Sequence, residues 1–507
     1  MNAHTMSASR SRSGAAPART RTLTLSVVLA AVLPALLCAC ADVSQKPYRT
    51  PDSPGKEAWS GRKGLPVAPS EMIAPDWWKG FRDPYLDGLV ERALGANFDL
   101  KVLAARIRVA GAQVGEARAG ALPTLDAGAG ASFEKSTGQK FSKQFNLGTQ
   151  VNWDIDIWGR VAKGVEAQSA EFRATEADWR AGYLTLVSDV STTYFQILQF
   201  DEQMAQQQKT LAKNQEILAT FEAMLQQGLV PQTRVLQQRA EINQMRRDLI
   251  ELGRLRALAG NALATLLGTP AGEFTVPPGA LQGRVQLPVV PEGLPSQLLK
   301  RRPDVVAAEY RVLVAYDLVG EAKLAQLPSI SLTGRGGTSS LALGSLLKSF
   351  TFGLLPSINF PIFDPSVKAR LKTSEARTEV AEQEYRRVVM AAFEEVENAL
   401  VNLDAHRRQR AELQEQSERL AIVAAQVQAQ LQEGMVSQLE VFEAERSLLA
   451  AQLALLANHQ QILSDTVTLY KALGGGWPAT DVRNAAQDAA HGAAHGAANP
   501  AARDRAG

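Results

Sequence analysis

The sequence predicts a mainly helical protein that contributes four β-strands to a membrane β-barrel. Three observations support this fold class: an internal repeat, segments in which apolar and polar residues alternate, and long stretches without proline. The segments 114–125 and 319–330 share the order Val-Gly-Glu-Ala, a basic residue and then Leu-Pro. A second pair, Gln226–Val230 and Gln432–Val436, has nearly the same offset. One structural unit has therefore been duplicated, and each copy holds a pair of strands between long helices.

The composition is that of a folded protein without an excess of basic charge. Of the 507 residues, 45% are hydrophobic and 21% are charged, which argues against a disordered chain. The 54 basic residues are nearly balanced by 52 acidic ones. Because nucleic-acid binding depends on clustered basic charge, the sequence predicts no nucleic-acid partner.

Residues 1–39 have the pattern of a secretory signal peptide. A basic start precedes the apolar run Leu23–Leu37, which is shorter than the roughly 20 residues that a spanning helix needs. An uncleaved anchor is the alternative. The order Leu37-Cys38-Ala39-Cys40 resembles a bacterial lipobox, and the small residue before Cys40 makes Cys40 the predicted lipidation site. By resemblance to lipoprotein sorting rules, Ala41 indicates the outer membrane.

The first repeat is predicted at residues 76–269, after a lipidated tether over residues 40–75. Its helical region begins near Asp76 and ends before Pro123. Strands are predicted at about 123–133 and 145–156, because apolar and polar residues alternate there. In the second strand one face carries Phe145, Leu147, Val151, Trp153 and Ile155, and the other carries Asn146, Gly148, Gln150, Asn152, Asp154 and Asp156.

The second repeat is predicted at residues 294–478, after a linker over residues 270–293. It has the same alternation, which predicts strands at about 328–338 and 350–362. The tail over residues 479–507 is rich in Ala, Gly and His and is predicted to be disordered.

A long stretch without proline follows the strands of each repeat, at 159–226 and 366–432. A continuous helix of that length extends about 100 Å. Each stretch reaches a glycine turn and returns as a second helix, with apolar residues every three to four positions as in coiled-coil packing. The sequence therefore predicts two long helical hairpins.

Four strands per chain are too few to close a membrane barrel. Each strand has close to the 9–11 residues that span a bilayer. An open sheet edge in hydrocarbon leaves backbone groups without hydrogen bonds, and the smallest known barrels have about eight strands. Since the polar faces suit water, three copies are the smallest number predicted to enclose an open lumen. The alternative is an ordinary antiparallel sheet of a soluble protein.

Four segments resemble a known family in an ordered series. They are 76–84 (DWWKGFRDP), 156–160 (DIWGR), 301–304 (RRPD) and 469–477 (LYKALGGGW). Through them the chain is similar to the outer membrane efflux lipoproteins of the NodT/OprM type, which are relatives of TolC. The resemblance implies a TolC-like homotrimer, with a 12-stranded barrel in the outer membrane lipid above an α-helical tunnel across the periplasm. It also implies the exit duct of a tripartite pump, served by a periplasmic adaptor and an inner-membrane RND-type transporter.

The turns of the two helical hairpins correspond to the family's gate and adaptor contacts. The adaptor contacts implied by the resemblance are Gly228, Leu229, Val230, Gly434, Met435 and Val436. Glu440 and Glu443 stand where relatives carry two acidic rings that close the tunnel. Arg234 occupies the position of the first repeat that is equivalent to Glu440. We hypothesise that Arg234 pairs with a gate glutamate, against the alternative of two separately solvated helix faces.

No catalytic, cofactor-binding or metal-binding pattern occurs in the sequence. There is no P-loop, dinucleotide-binding turn or nucleophile elbow, and His406 and His459 have no partners at ligand spacing. The sequence therefore predicts a passive channel for small molecules rather than an enzyme. Two alternatives remain open: a duct for type I protein secretion, and a periplasmic coiled-coil lipoprotein without a pore.

Overall fold

The computed structural model describes residues 45–52, 55, 59–60, 73–135, 137–138, 141–290 and 301–476. The signal segment 1–39, Cys40 and the tail from residue 479 lie outside the described residues, as do parts of the tether and of the linker.

The described elements follow the order of two repeats. The first repeat contains α1 (Pro84–Ala96), α2 (Phe98–Ala119), β1 (Thr124–Glu134), β2 (Ser142–Ile155), α3 (Arg160–Gln226) and α4 (Gln232–Leu266). The second contains α5 (Pro303–Leu324), β3 (Ser329–Ser340), β4 (Thr351–Asn359), α6 (Pro365–Gln432) and α7 (Gln438–Ala472). A short 3₁₀ helix at Trp77–Phe81 precedes α1. Another, at Leu343–Lys348, lies in the connection between β3 and β4.

The helical region that was expected from Asp76 to Ala121 is divided at Asn97. The Asn97 backbone is extended rather than helical, and its side-chain oxygen accepts a hydrogen bond from the Leu100 amide at 2.9 Å. Asparagine is a favoured N-cap because its side chain satisfies a helix N-H group that lacks a backbone partner. The Asn97 amide group also donates to the Leu266 carbonyl at 3.0 Å, which ties this break to the end of α4.

The four strands form one antiparallel sheet in the order β1-β2-β3-β4. β2 begins at Ser142, three residues earlier than expected, because Ser142 still pairs with Glu134 beside a short connection. β4 ends at Asn359, three residues earlier than expected. A turn closes directly after it, in which the Ile362 amide donates to the Phe360 carbonyl across Pro361, a residue without a donor of its own.

α3 and α6 are continuous helices of 67 and 68 residues, so each extends about 100 Å. Gly182 does not interrupt α3. A Cβ at Gly182 would collide with the Leu103 side chain, so the glycine lets α2 pack closely against α3. The cost of glycine inside a helix, about 1 kcal/mol, is therefore offset by a close helix contact.

The main hydrophobic core lies around the middle of α3 and α6 and the ends of α4 and α7. The 76–84 motif contributes three large aromatic residues to it, Trp77, Trp78 and Phe81. The Trp77 ring stacks on Tyr470 at a centroid distance of 4.8 Å, and Phe81 meets Phe195 edge-on at 5.1 Å. This motif therefore joins the start of the first repeat to the end of the second.

Asp83 is buried in this core with its hydrogen bonds satisfied. Its carboxylate caps α1 by accepting from the Tyr85 amide at 2.9 Å, and it accepts from the Tyr194 hydroxyl at 2.7 Å. Arg284 lies 3.0 Å away and supplies the opposite charge. Burial, followed by the neighbouring Asp83 carboxylate, raises the pKa of Tyr194, so this hydroxyl stays a donor.

Arg302 joins three helices where the second repeat begins. Its guanidinium donates to the Ala472 carbonyl at 3.0 Å and pairs with Asp304 at 2.7 Å and with Glu395 of α6 at 2.6 Å. Gly474, whose φ is 88°, lies against this segment, and a Cβ there would sit 2.9 Å from the Arg301 backbone. The 301–304 motif is thus packed against the described part of the 469–477 motif, around Ala472 and Gly474.

No helix within the described ranges is both long enough and apolar enough to cross a membrane.

Candidate functional site

One face of the sheet is apolar on all four strands, and we call it the apolar face. The register places Leu125 beside Val151, and Trp153 beside Leu332. It carries Leu125, Phe133, Phe145, Leu147, Val151, Trp153, Ile330, Leu332, Phe352, Leu354 and Ile358. Leu125 and Ile358 are each 71% exposed in the single chain, and Phe352 is 77% exposed. An exposed apolar surface that runs across a whole sheet is typical of a lipid-facing or subunit-facing surface.

The opposite face carries polar and small residues, and we call it the polar face. Its members include Asp126, Gly128, Asn146, Gly148, Gln150, Asn152, Asp154, Ser331, Thr333, Arg335, Gly337, Thr351, Gly353 and Ser357. Neighbouring side chains bond to one another, for example Gln150 to Asn152 at 2.7 Å and Ser331 to Ser357 at 2.7 Å. Leu355 is an apolar exception on this face. The arrangement suits contact with water.

β1 and β4 form the two edges of the sheet, since each pairs with one strand only among the described residues. An edge strand presents unpaired backbone donors and acceptors along its length. In a bilayer these groups require another strand, because lipid tails offer no hydrogen bonds. The apolar face and the two edge strands are therefore surfaces that this single chain leaves uncovered.

The 156–160 motif connects the sheet to the helices. The Asp156 carboxylate accepts from the Ala162 amide at 3.0 Å, which caps the first turn of α3. Gly159 has a φ of 76°, so it turns the chain in the left-handed region. The Trp158 indole donates to the Pro328 carbonyl at 2.7 Å, directly before β3. The motif therefore holds the base of both strand pairs.

Both helical hairpins turn at a glycine with the same hydrogen-bond pattern. Gly228 and Gly434 have φ values of 71° and 75°. The Leu229 amide bonds to the Met224 carbonyl at 2.9 Å, and the Met435 amide bonds to the Gln430 carbonyl at 3.0 Å. This is the Schellman arrangement, in which a left-handed residue closes the last turn of a helix.

The side chains at these turns are divided between exposed and buried positions. Leu229 and Met435 are 64% and 63% exposed, whereas Val230 is buried and Val436 is half-buried. Each turn thus presents one large apolar side chain to solvent at the end of its hairpin.

The two predicted gate glutamates have partners within their own helix. Glu440 forms a capping box at the start of α7: its carboxylate accepts from the Ser437 amide at 3.2 Å and from the Ser437 hydroxyl at 3.1 Å. Glu443 pairs with Arg446 at 2.7 Å, and both side chains are exposed. An exposed pair of this kind contributes about 0–1 kcal/mol to stability.

Arg234 lies over the ring of Phe221, with its guanidinium carbon 5.7 Å from the ring centroid. Within the described part of the chain it forms no ion pair with Glu440 or Glu443. Arg234 and Glu440 stand at equivalent positions, and the difference between them matches a difference between the N-caps of α4 and α7. Pro231 stands where Ser437 stands in the second turn and has no amide hydrogen, so a glutamate at position 234 would find no capping donor.

The two hairpins are linked by polar contacts that the sequence did not indicate. Lys213 of α3 pairs with Glu445 of α7, whose side chain is only 11% exposed. Gln206 donates to Gln452 at 2.6 Å between the same helices. These partners lie more than 200 positions apart and do not follow the repeat, so no local signal could identify them.

The start of the described chain lies along the helices. Gln45 donates to the Tyr316 carbonyl of α5 at 2.6 Å, and the Thr50 hydroxyl donates to Glu309 at 2.6 Å. Farther along, the Ser60 amide donates to Glu397 of α6 at 2.7 Å. This part of the predicted tether therefore follows α5 and α6, with Gln45 nearer to the sheet and Ser60 nearer to the middle of the helices.

No group of three His, Cys, Asp or Glu side chains suited to a metal ion occurs in the part of the chain that the structure describes. Nδ1 of His406 on α6 lies 2.5 Å from the Asp465 carboxylate of α7, while His459 is half-buried. These histidines belong to the packing between the two helices of the second hairpin.

Comparison with known proteins identifies the family. The family described as outer membrane efflux protein matches residues 89–269 and 294–475. The pyoverdine export outer membrane protein OpmQ of Pseudomonas putida is 32% identical over 429 residues, which cover 82% of this chain and 91% of the relative. The cation efflux system protein CusC of Escherichia coli is 32% identical, covering 85% and 95%.

A solved structure has the same architecture. The open state of the Neisseria gonorrhoeae outer membrane channel MtrE has a TM-score of 0.76 at 30% identity, covering 86% of this chain and 98% of that chain. The protein is therefore an exit duct of the outer membrane that extends into the periplasm. Because the family match spans both repeats, the chain belongs to the outer membrane efflux proteins.

Proposed function

We propose that three copies of this chain form the exit duct of a tripartite efflux pump, which conducts small molecules passively. The observation that carries the proposal is the two-faced sheet with free edges at β1 and β4. Three such sheets, joined edge to edge, give a barrel of about 12 strands with the apolar face toward lipid and the polar face toward water. The repeats proposed at residues 76–269 and 294–478 each contribute one strand pair and one helical hairpin.

We further propose that Cys40 carries acyl chains that anchor the N-terminus in the outer membrane. Gln45 bonds to Tyr316, and α5 ends eight residues later at Leu324, about 12 Å closer to the sheet. The five residues from Cys40 to Gln45 span at most about 17 Å. The anchor is therefore within reach of the base of the sheet, where lipid begins.

The hairpin turns are the proposed contact with a periplasmic adaptor, which in turn connects to an inner-membrane RND-type transporter. These turns lie at the far end of helices that extend about 100 Å from the sheet. The contact residues proposed are Gly228, Leu229, Val230, Gly434, Met435 and Val436. The exposed Leu229 and Met435 supply the apolar part of that surface. The energy for transport comes from the transporter, so the duct itself needs no catalytic group.

Glu440, Glu443 and Arg234 are the proposed gate. Three copies of each glutamate around one axis would repel one another and attract cations. Arg234 has no carboxylate partner within its own described chain, which leaves its charge available to a gate glutamate of a neighbouring copy. Replacing Arg234 by alanine is expected to raise the closed-state conductance in planar bilayers. Arg239→Ala, which removes an exposed pair with Glu222 of the same hairpin, is the control. Equal conductance of Arg234→Ala and wild type would contradict the pairing.

The decisive experiment on the duct combines particle symmetry with conductance. Detergent-purified full-length protein is expected to give three-fold symmetric particles in electron cryo-microscopy and discrete single-channel steps in planar bilayers. A stable monomer, or trimers without any conductance, would contradict the proposal. Trimers without conductance would instead support a periplasmic scaffold.

A further inference from the structure

The polar face carries one cationic side chain among the described strand residues. Its other charges are the carboxylates of Asp126, Glu134 and Asp154, and its cation is Arg335 of β3. The face is thus acidic overall, and an anion that travels along it meets repulsion except near Arg335. Asp154 lies four positions along β2 from the partner of Arg335, about 13 Å toward the helices.

The neighbours of Arg335 leave its guanidinium free to bind a solute. Gln150 is its partner on β2 and Gly353 its partner on β4, while Gly337 follows two positions along its own strand on the same face. Arg335 is exposed, and no hydrogen bond or ion pair joins its side chain to another described residue. Glycine neighbours offer no side chain that could shield or pair with the charge.

We propose that Arg335 forms an anion-binding ring inside the duct and determines how readily anionic solutes pass through the barrel. The inference rests on the proposed trimer, in which three copies of Arg335 lie at one height on the inner surface. A guanidinium offers a planar pair of donors that matches carboxylate and phosphate oxygens. The chemical class of solute is therefore the small molecule with several anionic oxygens.

The strand register also shows which neighbouring residue could change the net charge of the ring. Asp126 is the β1 partner of Gln150, so Asp126, Gln150, Arg335 and Gly353 form one row across the sheet. Gln150 separates the carboxylate from the guanidinium and is neutral. A carboxylate at position 150 would stand directly beside Arg335 and would neutralise the ring without removing it.

The test measures binding of inorganic triphosphate to the purified full-length trimer by isothermal titration calorimetry at low salt. Wild type is expected to bind one triphosphate per three chains. Arg335→Gln is expected to weaken binding by about tenfold or more, as loss of a charge-assisted hydrogen bond implies. Gln150→Glu is expected to weaken triphosphate binding to a similar extent while Arg335 is still present. This second variant tests the inference if Arg335→Gln fails to assemble.

The matched control is Lys143→Gln, which removes the same charge from the apolar face. Lys143 is the β2 partner of Phe133, and its ammonium lies 5.8 Å from the Phe141 ring centroid. The Lys143→Gln variant is expected to bind triphosphate as tightly as wild type does. Wild-type trimers that bind no triphosphate, or variants Arg335→Gln and Gln150→Glu that bind it as tightly as wild type, would overturn the inference while leaving the duct intact. Absence of trimers would instead refute the proposed function.

Discussion

His459 of α7 is half-buried, and neither of its buried ring nitrogens has a hydrogen-bond partner among the described residues. Burial, followed by the nearby positive charge of Arg410 on α6, lowers the pKa of His459 to about 4. The folded protein therefore holds this imidazole in its neutral form, whereas the unfolded chain takes up a proton near the ordinary value of about 6.5. Between these two values the unfolded state binds more protons, so folding stability falls as the pH falls through that window.

Replacing His459 by phenylalanine is expected to weaken the acid sensitivity of the folded protein. The ring is similar in size and cannot be protonated, and the lost nitrogens leave no partner unsatisfied because they have none. The melting temperature of the detergent-solubilised protein, measured from pH 7 to pH 4, should fall less steeply for His459→Phe than for wild type. Parallel curves for the two proteins would show that another group controls the acid sensitivity.

At the scale of elements, local chemistry explains the strands and the hairpin turns, which is why the sequence predicted them. Alternation in β2 reflects the two faces of a single strand, and Gly228 and Gly434 are needed for the left-handed turn itself. The division at Asn97 was not predicted. Asparagine caps a helix by contacts within three residues, but its second bond reaches Leu266, which no local pattern indicates.

At the proposed gate, the pair predicted from equivalent positions in the two repeats differs from the contacts that these residues make within one chain. The opposite charges of Arg234 and Glu440 suggested a pair. In the described chain Glu440 instead caps its own helix through Ser437, and Arg234 covers Phe221. Alignment of the two repeats alone did not distinguish these uses. The signal lies three positions earlier, where Ser437 has the amide hydrogen that a capping box needs and Pro231 has none. Pairing between copies stays a prediction.

Arg302 is expected to stabilise the junction of α5, α6 and α7. Replacing it by methionine keeps the side-chain length but leaves the Ala472 carbonyl without this donor and Glu395 without this charge. Because Glu395 and Asp304 are partly exposed and regain water, the expected loss is about 2–3 kcal/mol, below that of a fully buried pair.

The control for Arg302→Met is Arg387→Met on α6, where an exposed arginine pairs with Glu384 one turn away. That change is expected to cost less than about 1 kcal/mol. Unfolding by denaturant in detergent, followed by circular dichroism, compares the two. Equal losses would mean that the Arg302 contacts contribute nothing beyond an ordinary surface pair.

At the scale of the whole molecule, the sheet and the hairpin turns lie at opposite ends of α3 and α6, each about 100 Å long. The core and the Arg302 junction lie between them, where both repeats meet. The chain thus separates a surface suited to lipid from turns suited to a protein partner. In the proposed duct, further copies cover the edge strands β1 and β4. We therefore expect assembly in the membrane to depend on the apolar face that meets the lipid.

Leu354 and Leu355 allow this dependence to be tested with the same substitution on adjacent residues. Leu354 lies on the apolar face beside Gly334, and Leu355 lies on the polar face beside Thr333. Lysine at position 354 would bring a charge into the lipid, at a cost of about 2–4 kcal/mol per chain near the bilayer midplane. Lysine at position 355 would remain in water. We expect Leu354→Lys to reduce the amount of assembled trimer in outer membrane fractions, as seen on unheated gels, and Leu355→Lys to assemble like wild type. The reverse order would mean that the apolar face lines the interior, contrary to the assignment of the two faces.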